Sequence, residues 1–272
     1  MEISSRSIRQ FQHTVFSFYQ ENKRDLPWRH TTDPYFILLS EVMLQQTYVD
    51  RVKKYYLQWI MKWPTLDDFA RARRTDVLKA WLGLGYNTRA VSLHRTAQII
   101  QEDYYGDVLL AMDHYKELPG IGTYTAFAIK IFSRNDNIVT VDTNIRRILI
   151  HVFRLPLDVS DVALAMLAKR CLPKKRSRDW HNALMDYGNL VLTSRLTRIK
   201  PKTRQSRFEG SDRQLRARIL RFFLHSKHSS ASLSSLVRIL SLSDKLRLHS
   251  ILEGMIRDHL LTYDRKRYTL IR

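Results

Sequence analysis

Two carboxylates stand in settings that should drive them to opposite protonation states. Glu41 lies in FILLSEVMLQQ, Phe36 to Gln46, with apolar residues on both sides and Leu38 and Leu44 on adjacent helical turns. A carboxyl there loses hydration, its charged form is penalised, and its pKa rises toward the range a general acid needs near neutral pH. A structural Glu, paired with an arginine or a backbone donor, is the alternative. Asp142 opens VDTN ahead of a helical stretch, the setting of an N-cap. Helix N–H donors there should hold it ionised and lower its pKa, so capping and catalysis are compatible. A neutral acid and a carboxylate anion are the pattern expected of enzymes that cleave glycosidic bonds.

Upstream of Asp142 runs LPGIGTYTAFAIK, Leu118 to Lys130. Pro119 presets one turn dihedral, and Gly120 and Gly122 allow backbone geometry that a Cβ would resist, so successive N–H groups can point outward where the next helix starts. Such a cluster binds a phosphate; an ordinary connection between helices has the same look.

The elements that must position these residues read as mostly helical. Apolar residues at Ile8, Phe11, Val15, Phe18 and Tyr19 give an amphipathic helix over Ile8 to Glu21, and Pro27 makes Leu26 to Arg29 an extended entry. Asp33-Pro34 caps one long helix from Tyr35 to Trp59. Thr65 to Trp81 reads as two short helices, Thr88 to Tyr104 as another, and Tyr124 to Phe132 as the helix after the Gly-rich turn. Asn135 to Asn137 is a turn, Ile138 to Val141 is extended, and helices follow from Asp142 to Phe153, Asp161 to Arg170 and Trp180 to Leu192, with a basic loop at Lys174 to Arg178. From Gly210 the pattern changes to three helices, Asp212 to His225, Ser232 to Leu240 and Asp244 to Leu260, and a hairpin about Asp264-Arg265-Lys266. That order is the pattern of a winged-helix module, able to bind DNA or a protein or to serve as a packing accessory.

Composition bounds the partner. In 272 residues, 46 Lys and Arg against 26 Asp and Glu give a formal net charge of +20, which favours a polyanion, nucleic acid first. Cys171 is the single cysteine, so neither an intramolecular disulfide nor a cysteine-ligated cluster is expected. The N-terminal MEISSRSIRQ lacks an apolar signal core and no apolar run approaches bilayer length, so a soluble intracellular protein without membrane contact is expected. A monomer is the expected state.

Together LPGIG and the following VDTN, the run LPWRHTTDPYFILLSEVMLQQTYVDRV from Leu26, and WLGLGYNTRAVSLH from Trp81 resemble the helix-hairpin-helix, Gly-Pro-Asp (HhH-GPD) superfamily of DNA glycosylases, and within it the MutY-type adenine glycosylases. The likeness covers about residues 10 to 195. It implies a mainly α, two-lobed fold: a six-helix bundle over residues 26–136, a second lobe of 1–25 plus 137–208 carrying Asp142, and a DNA groove between them; the winged-helix-like domain at 210–272 lies outside the likeness and rests on the helix and hairpin pattern alone. It implies Glu41 as the acid and Asp142 as the essential carboxylate, with Asn144 and Tyr124 assisting. Trp28, Arg29, Asn182 and Asp186 would line the base pocket. Gln45, Gln46 and Tyr86 would form the wedge that replaces the extruded nucleotide. Leu118, Gly120, Gly122, Thr123, Thr125 and Arg146 would meet the DNA. Lyase-type relatives carry a Lys nucleophile where this chain has Tyr124, so a monofunctional enzyme follows. Many relatives place a four-cysteine iron–sulfur cluster where this chain reads TSRLTRIKPKTRQSRFEG, so no cofactor is expected, and the Nudix-like domain that ends MutY-type chains has no counterpart. The implied activity is excision of a mismatched or damaged base from double-stranded DNA, adenine opposite 8-oxoguanine or guanine. The alternatives are thymine or uracil opposite guanine, and a non-catalytic binder of distorted DNA.

Overall fold

The computed structural model describes residues 3–200, 207–226, 230–242 and 244–271. In chain order the elements are α1 (Ser5–Asn22), a 3-10 turn (Pro27–Arg29), α2 (Pro34–Leu44), α3 (Val49–Lys62), α4 (Leu66–Ala70), α5 (Arg74–Trp81), α6 (Thr88–Asp103) and α7 (Val108–Ala111). There follow α8 (Thr123–Arg134), α9 (Thr143–Val152), α10 (Asp161–Arg170), α11 (Ser177–Leu190), α12 (Ser194–Thr197), α13 (Asp212–His225), β1 (Ser230–Ala231), α14 (Leu233–Ile239), α15 (Lys245–Arg257), β2 (Leu261–Asp264) and β3 (Arg267–Leu270). The mainly helical expectation holds. The helix expected from Tyr35 to Trp59 is instead two, because the chain turns at Gln46, which takes φ 57°. Nothing in LQQTYVDR announces that break. Its cause is Arg89, whose guanidinium donates to the carbonyls of Val42, Met43 and Gln45 at 2.8, 3.1 and 2.6 Å. These are acceptors that the end of α2 leaves open.

The chain divides into two units. One comprises Met1–Glu41, Leu109–Lys116 and Ile121–Arg204. Its core packs Phe11, Val15, Ile145, Ile148, Leu149, Leu164 and Trp180. The rings of Phe11 and Trp180 meet edge to face at 5.4 Å, a favoured aromatic arrangement. Gly188 lets α9 and α11 approach closely: an added Cβ would lie 3.0 Å from the Cβ of Asn144 and 3.1 Å from Ile148 Cδ1.

The other unit comprises Val42–Val108, Glu117–Gly120 and Gln205–Arg272. Its core centres on Trp59, which meets Trp63, Phe69 and Trp81 edge to face at 4.7, 5.2 and 5.6 Å. The C-terminal module belongs to this unit. Side chains of Ser211, Ser232 and Asp244 cap α13, α14 and α15 by accepting from the backbone one turn on, which is why those helices start where their sequence signals put them. The sheet is antiparallel in the order β1-β3-β2, with Tyr263 opposite Tyr268 and Ala231 opposite Tyr268. Arg265 and Lys266 take φ 46° and φ 62°. Both are positive, as a two-residue hairpin turn requires. β1 adds a short strand to the expected hairpin. The basic stretch expected to replace a cluster loop lies partly outside the described residues.

Candidate active site

The acid and its partners are carried by α2, α8 and the start of α9, and the Gly-rich hairpin precedes α8 in the chain. Gly120 has φ 78°. It is the position where the hairpin demands glycine, since a Cβ there would come 2.9 Å from the Cβ of Ser92 and the left-handed backbone resists a side chain in any case. Gly122 has no such need. It has φ −97° and ψ 173°, which any residue adopts, and a Cβ there would meet open space. Leu118 is buried and Thr96 Oγ1 donates to the carbonyl of Pro119 at 2.9 Å, anchoring the hairpin from behind. Thr123 is exposed beside Tyr115, their hydroxyls 3.0 Å apart. Thr125, expected to meet DNA, is buried inside its helix.

Glu41, Tyr124 and Asp142 come together. Glu41 is buried, and loss of hydration, reinforced by the charge of Asp142, raises its pKa to about 8. A neutral carboxylic acid tolerates such burial without a charged partner. Tyr124 is pushed well above its ordinary 10.0, first by desolvation and then by the charges of Glu41 and Asp142, so its phenol stays protonated.

Asp142 caps α9 as expected. Its Oδ1 accepts from the Ile145 N–H at 2.7 Å, and Oδ2 accepts from Asn144 Nδ2 at 3.1 Å. The direction of its pKa corrects the sequence reading. It is raised, because burial outweighs the opposing backbone and Asn144 hydrogen bonds and the charge of Arg147. Both carboxyls therefore resist ionisation. The donors around Asp142 still favour it as the one that ionises, which leaves the proton on Glu41.

A network unseen in the sequence holds this geometry. Arg147, buried, donates from Nη2 to Asn144 Oδ1 and to the Gly188 carbonyl, each at 2.7 Å, and from Nε to the Leu192 carbonyl at 2.7 Å. It ties Asn144 to the end of α11 and faces the carboxylate through it. The detectable signal is weak, an arginine set between the buried Ile148 and Ile150 around the helix. Its neighbour Arg146, expected to contact DNA, donates instead to the Leu157 carbonyl at 2.5 Å. His181 is the second unforeseen support. Its Nδ1 donates to the Ser177 carbonyl at 2.7 Å. Its Nε2 accepts the Thr140 N–H at 3.2 Å, fixing the segment that delivers Asp142. Burial lowers its pKa, so it is a neutral imidazole with one donor and one acceptor nitrogen.

The expected base-pocket residues divide. Trp28 is buried in the 3-10 turn and Asn182 is buried on α11. Asp186, expected to face the pocket, is an ion-pair hub. Arg29 binds it bidentately at 2.8 and 2.9 Å, and Arg24 donates from Nε at 2.6 Å and from its backbone N–H at 3.0 Å. Such charge-assisted pairs are strong. Burial would raise its pKa, but these donors win and lower it. Its lone pairs are thus taken by arginines rather than offered to a base, and Arg29 is committed to the same pair.

In the other unit Gln45, Gln46 and Tyr86 sit on two turns that Arg89 joins. Beyond the α2 carbonyls, Arg89 Nη2 donates to Thr47 Oγ1 and to the carbonyls of Leu84 and Gly85 at 3.1, 3.2 and 2.9 Å. Burial lowers its pKa to about 10, so it remains a cation at neutral pH. Tyr86 is exposed and holds φ 47°. That left-handed conformation is one a bulky residue adopts only under constraint. No group of three or more His, Cys, Asp or Glu side chains able to hold a metal occurs among the described residues, nor does a helix long and apolar enough to cross a membrane.

Comparison with known proteins bears on this site. Residues 39–172 match the family described as HhH-GPD superfamily base excision DNA repair protein. The chain is 35% identical over 235 residues to the adenine DNA glycosylase of Mycobacterium tuberculosis, covering 76% of each. It is 30% identical over 205 residues to the thymine/uracil-DNA glycosylase of Methanothermobacter thermautotrophicus, covering 74% of this chain and 91% of that protein. The solved structure of a thermostable thymine-DNA glycosylase aligns with TM-score 0.64 at 30% identity, over 72% of this chain and 91% of that one.

Proposed function

The chain belongs to the HhH-GPD superfamily of base excision DNA repair proteins and is a DNA N-glycosylase, and from that premise we propose that it removes adenine mispaired with 8-oxoguanine or guanine, using Glu41 and Asp142. The observation that carries the chemistry is the convergence of buried Glu41 with half-buried Tyr124 and Asp142, near enough that the charge of Asp142 acts on both of the others.

Glu41, protonated at neutral pH, gives its proton to a ring nitrogen of the extruded base. The glycosidic bond breaks with its electron pair leaving on a neutral base. Asp142, ionised and held by Asn144 and the Ile145 N–H, stands against the cationic sugar; water adds there, and the proton it releases returns to the Glu41 carboxylate. Tyr124 remains a neutral hydroxyl that cannot form a Schiff base, so the product is an abasic site in an intact strand. Gln45, Gln46 and Tyr86 fill the gap left in the duplex.

Likeness to the mycobacterial enzyme supports adenine, since it runs through most of both chains. The second reading, thymine or uracil opposite guanine, is supported by the thymine/uracil-DNA glycosylase, nearly all of whose length this chain covers. Incubation with duplexes bearing A:8-oxoguanine, A:G, T:G or U:G, followed by alkali, separates the two. Strand breaks at A support the first reading, breaks at T or U alone the second, and none from any duplex leaves a non-catalytic binder.

A further inference from the structure

Resting on Tyr86 as the wedge, we infer that Arg213, on the first helix of the C-terminal module, positions Tyr86 for entry into the duplex, which makes that module a working part of base extrusion. Arg213 Nη1 donates to Tyr86 Oη at 2.9 Å, and its Cζ lies 5.3 Å from the centre of the same ring. Arg89 approaches that ring as well, Cζ to centroid 5.7 Å. One guanidinium is fixed by six backbone and side-chain acceptors within the Tyr86 turn and its neighbour, the other arrives from 127 residues away.

The start of α13, which carries the far guanidinium, is itself held. Ser211 caps α13, Arg247 donates to Asp212 Oδ1 at 2.8 Å and to the Gly210 carbonyl at 2.6 Å, and the Phe208 ring lies 5.9 Å from Arg213 Cζ. The module is tied to α5 as well, through Arg74 and the His259 carbonyl. These contacts give Arg213 a defined position from which to fix Tyr86. A wedge that must replace an extruded nucleotide works best when its ring is oriented beforehand, because ordering a free aromatic on a mobile turn would draw on the energy needed to unstack the duplex. A guanidinium that both hydrogen-bonds the hydroxyl and lies near the ring restrains the two side-chain torsions of a tyrosine, and its charge is compatible with nearby phosphates.

The test measures extrusion and excision in the full chain. Stopped-flow fluorescence of 2-aminopurine placed 3′ to the mismatched base, in A:8-oxoguanine and T:G duplexes, reports unstacking; single-turnover excision is followed in parallel, with melting temperature as a control on folding. Arg213→Ala is expected to slow unstacking about tenfold, the factor that loss of one charge-assisted hydrogen bond sets, and Arg213→Lys to recover most of it. Tyr86→Phe, which removes only the hydroxyl, should slow unstacking in the same sense, and Arg213→Ala should add little further in that background. An Arg213→Ala variant that unstacks at the wild-type rate while Tyr86→Ala does not would overturn the inference alone, as would an equal Arg213→Ala loss in Tyr86→Ala. A Tyr86→Ala variant with wild-type unstacking would overturn the wedge reading and this inference with it.

Discussion

Replacing Glu41 with Gln should make stability less sensitive to alkaline pH. The folded protein raises the Glu41 pKa from an ordinary 4.5 to about 8 through burial and the charge of Asp142. Between those values the unfolded chain has released the proton and the folded chain has kept it, so wild-type stability falls as pH rises through this window. Below it the contribution is fully present; above about 8 the loss is complete. At about 1.4 kcal/mol per pH unit the ceiling on the loss is about 5 kcal/mol, and a realised loss of several kcal/mol is expected. Gln fills the same space without ionising, so the stability of Glu41→Gln relative to wild type should increase between pH 5 and pH 9. Urea unfolding of both proteins at the two pH values measures it. An unchanged difference between them would show that Glu41 ionises in the folded protein as an ordinary carboxylate does, and the argument for a buried acid would fail.

Three further substitutions probe the supports. Asp186→Asn leaves Arg24 and Arg29 without their carboxylate and should cost about 3–5 kcal/mol of stability at pH 7, read from urea midpoints; a cost below about 1 kcal/mol would mean the pair is solvated. Arg147→Met keeps length but removes the donors to Asn144, Gly188 and Leu192. Single-turnover excision should drop at least about tenfold as Asn144 loses its place beside Asp142, and an unchanged rate would show that Asn144 holds its position without Arg147. Tyr124→Lys places an amine beside both carboxyls, and borohydride should then trap a covalent enzyme–DNA adduct that wild type does not form; failure to trap one would mean that residue 124 does not reach the sugar.

The helical order and the C-terminal module are legible in the sequence because their signals are local. Ser211, Ser232 and Asp244 each cap the helix they precede, and Asp142 caps α9 in the way its neighbours announce. What escapes depends on side chains far apart in the chain. Arg89 ends α2 from more than forty positions away, with separations of 44 to 47 to the carbonyls it takes, so LQQTYVDR reads as continuous helix. Asp186 meets Arg24 and Arg29 across separations of 162 and 157, which no local pattern on α11 records. The direction of the Asp142 pKa escapes for a related reason. Capping donors are visible in sequence, whereas burial, the larger effect here, is a property of the assembled site. Glu41 is easier, since its apolar neighbours lie on its own helix.

The central claim is that Glu41 is the acid that releases the base. Its direct test is single-turnover excision by wild type and Glu41→Gln, across pH 5 to 9, on whichever mismatch the wild type processes. Wild-type rates should decline as pH passes about 8, where Glu41 gives up its proton. The variant should be slower by about 10² or more, as expected for loss of a general acid, and should lack that decline. Excision by Glu41→Gln at the wild-type rate, with the same pH profile, would contradict the account.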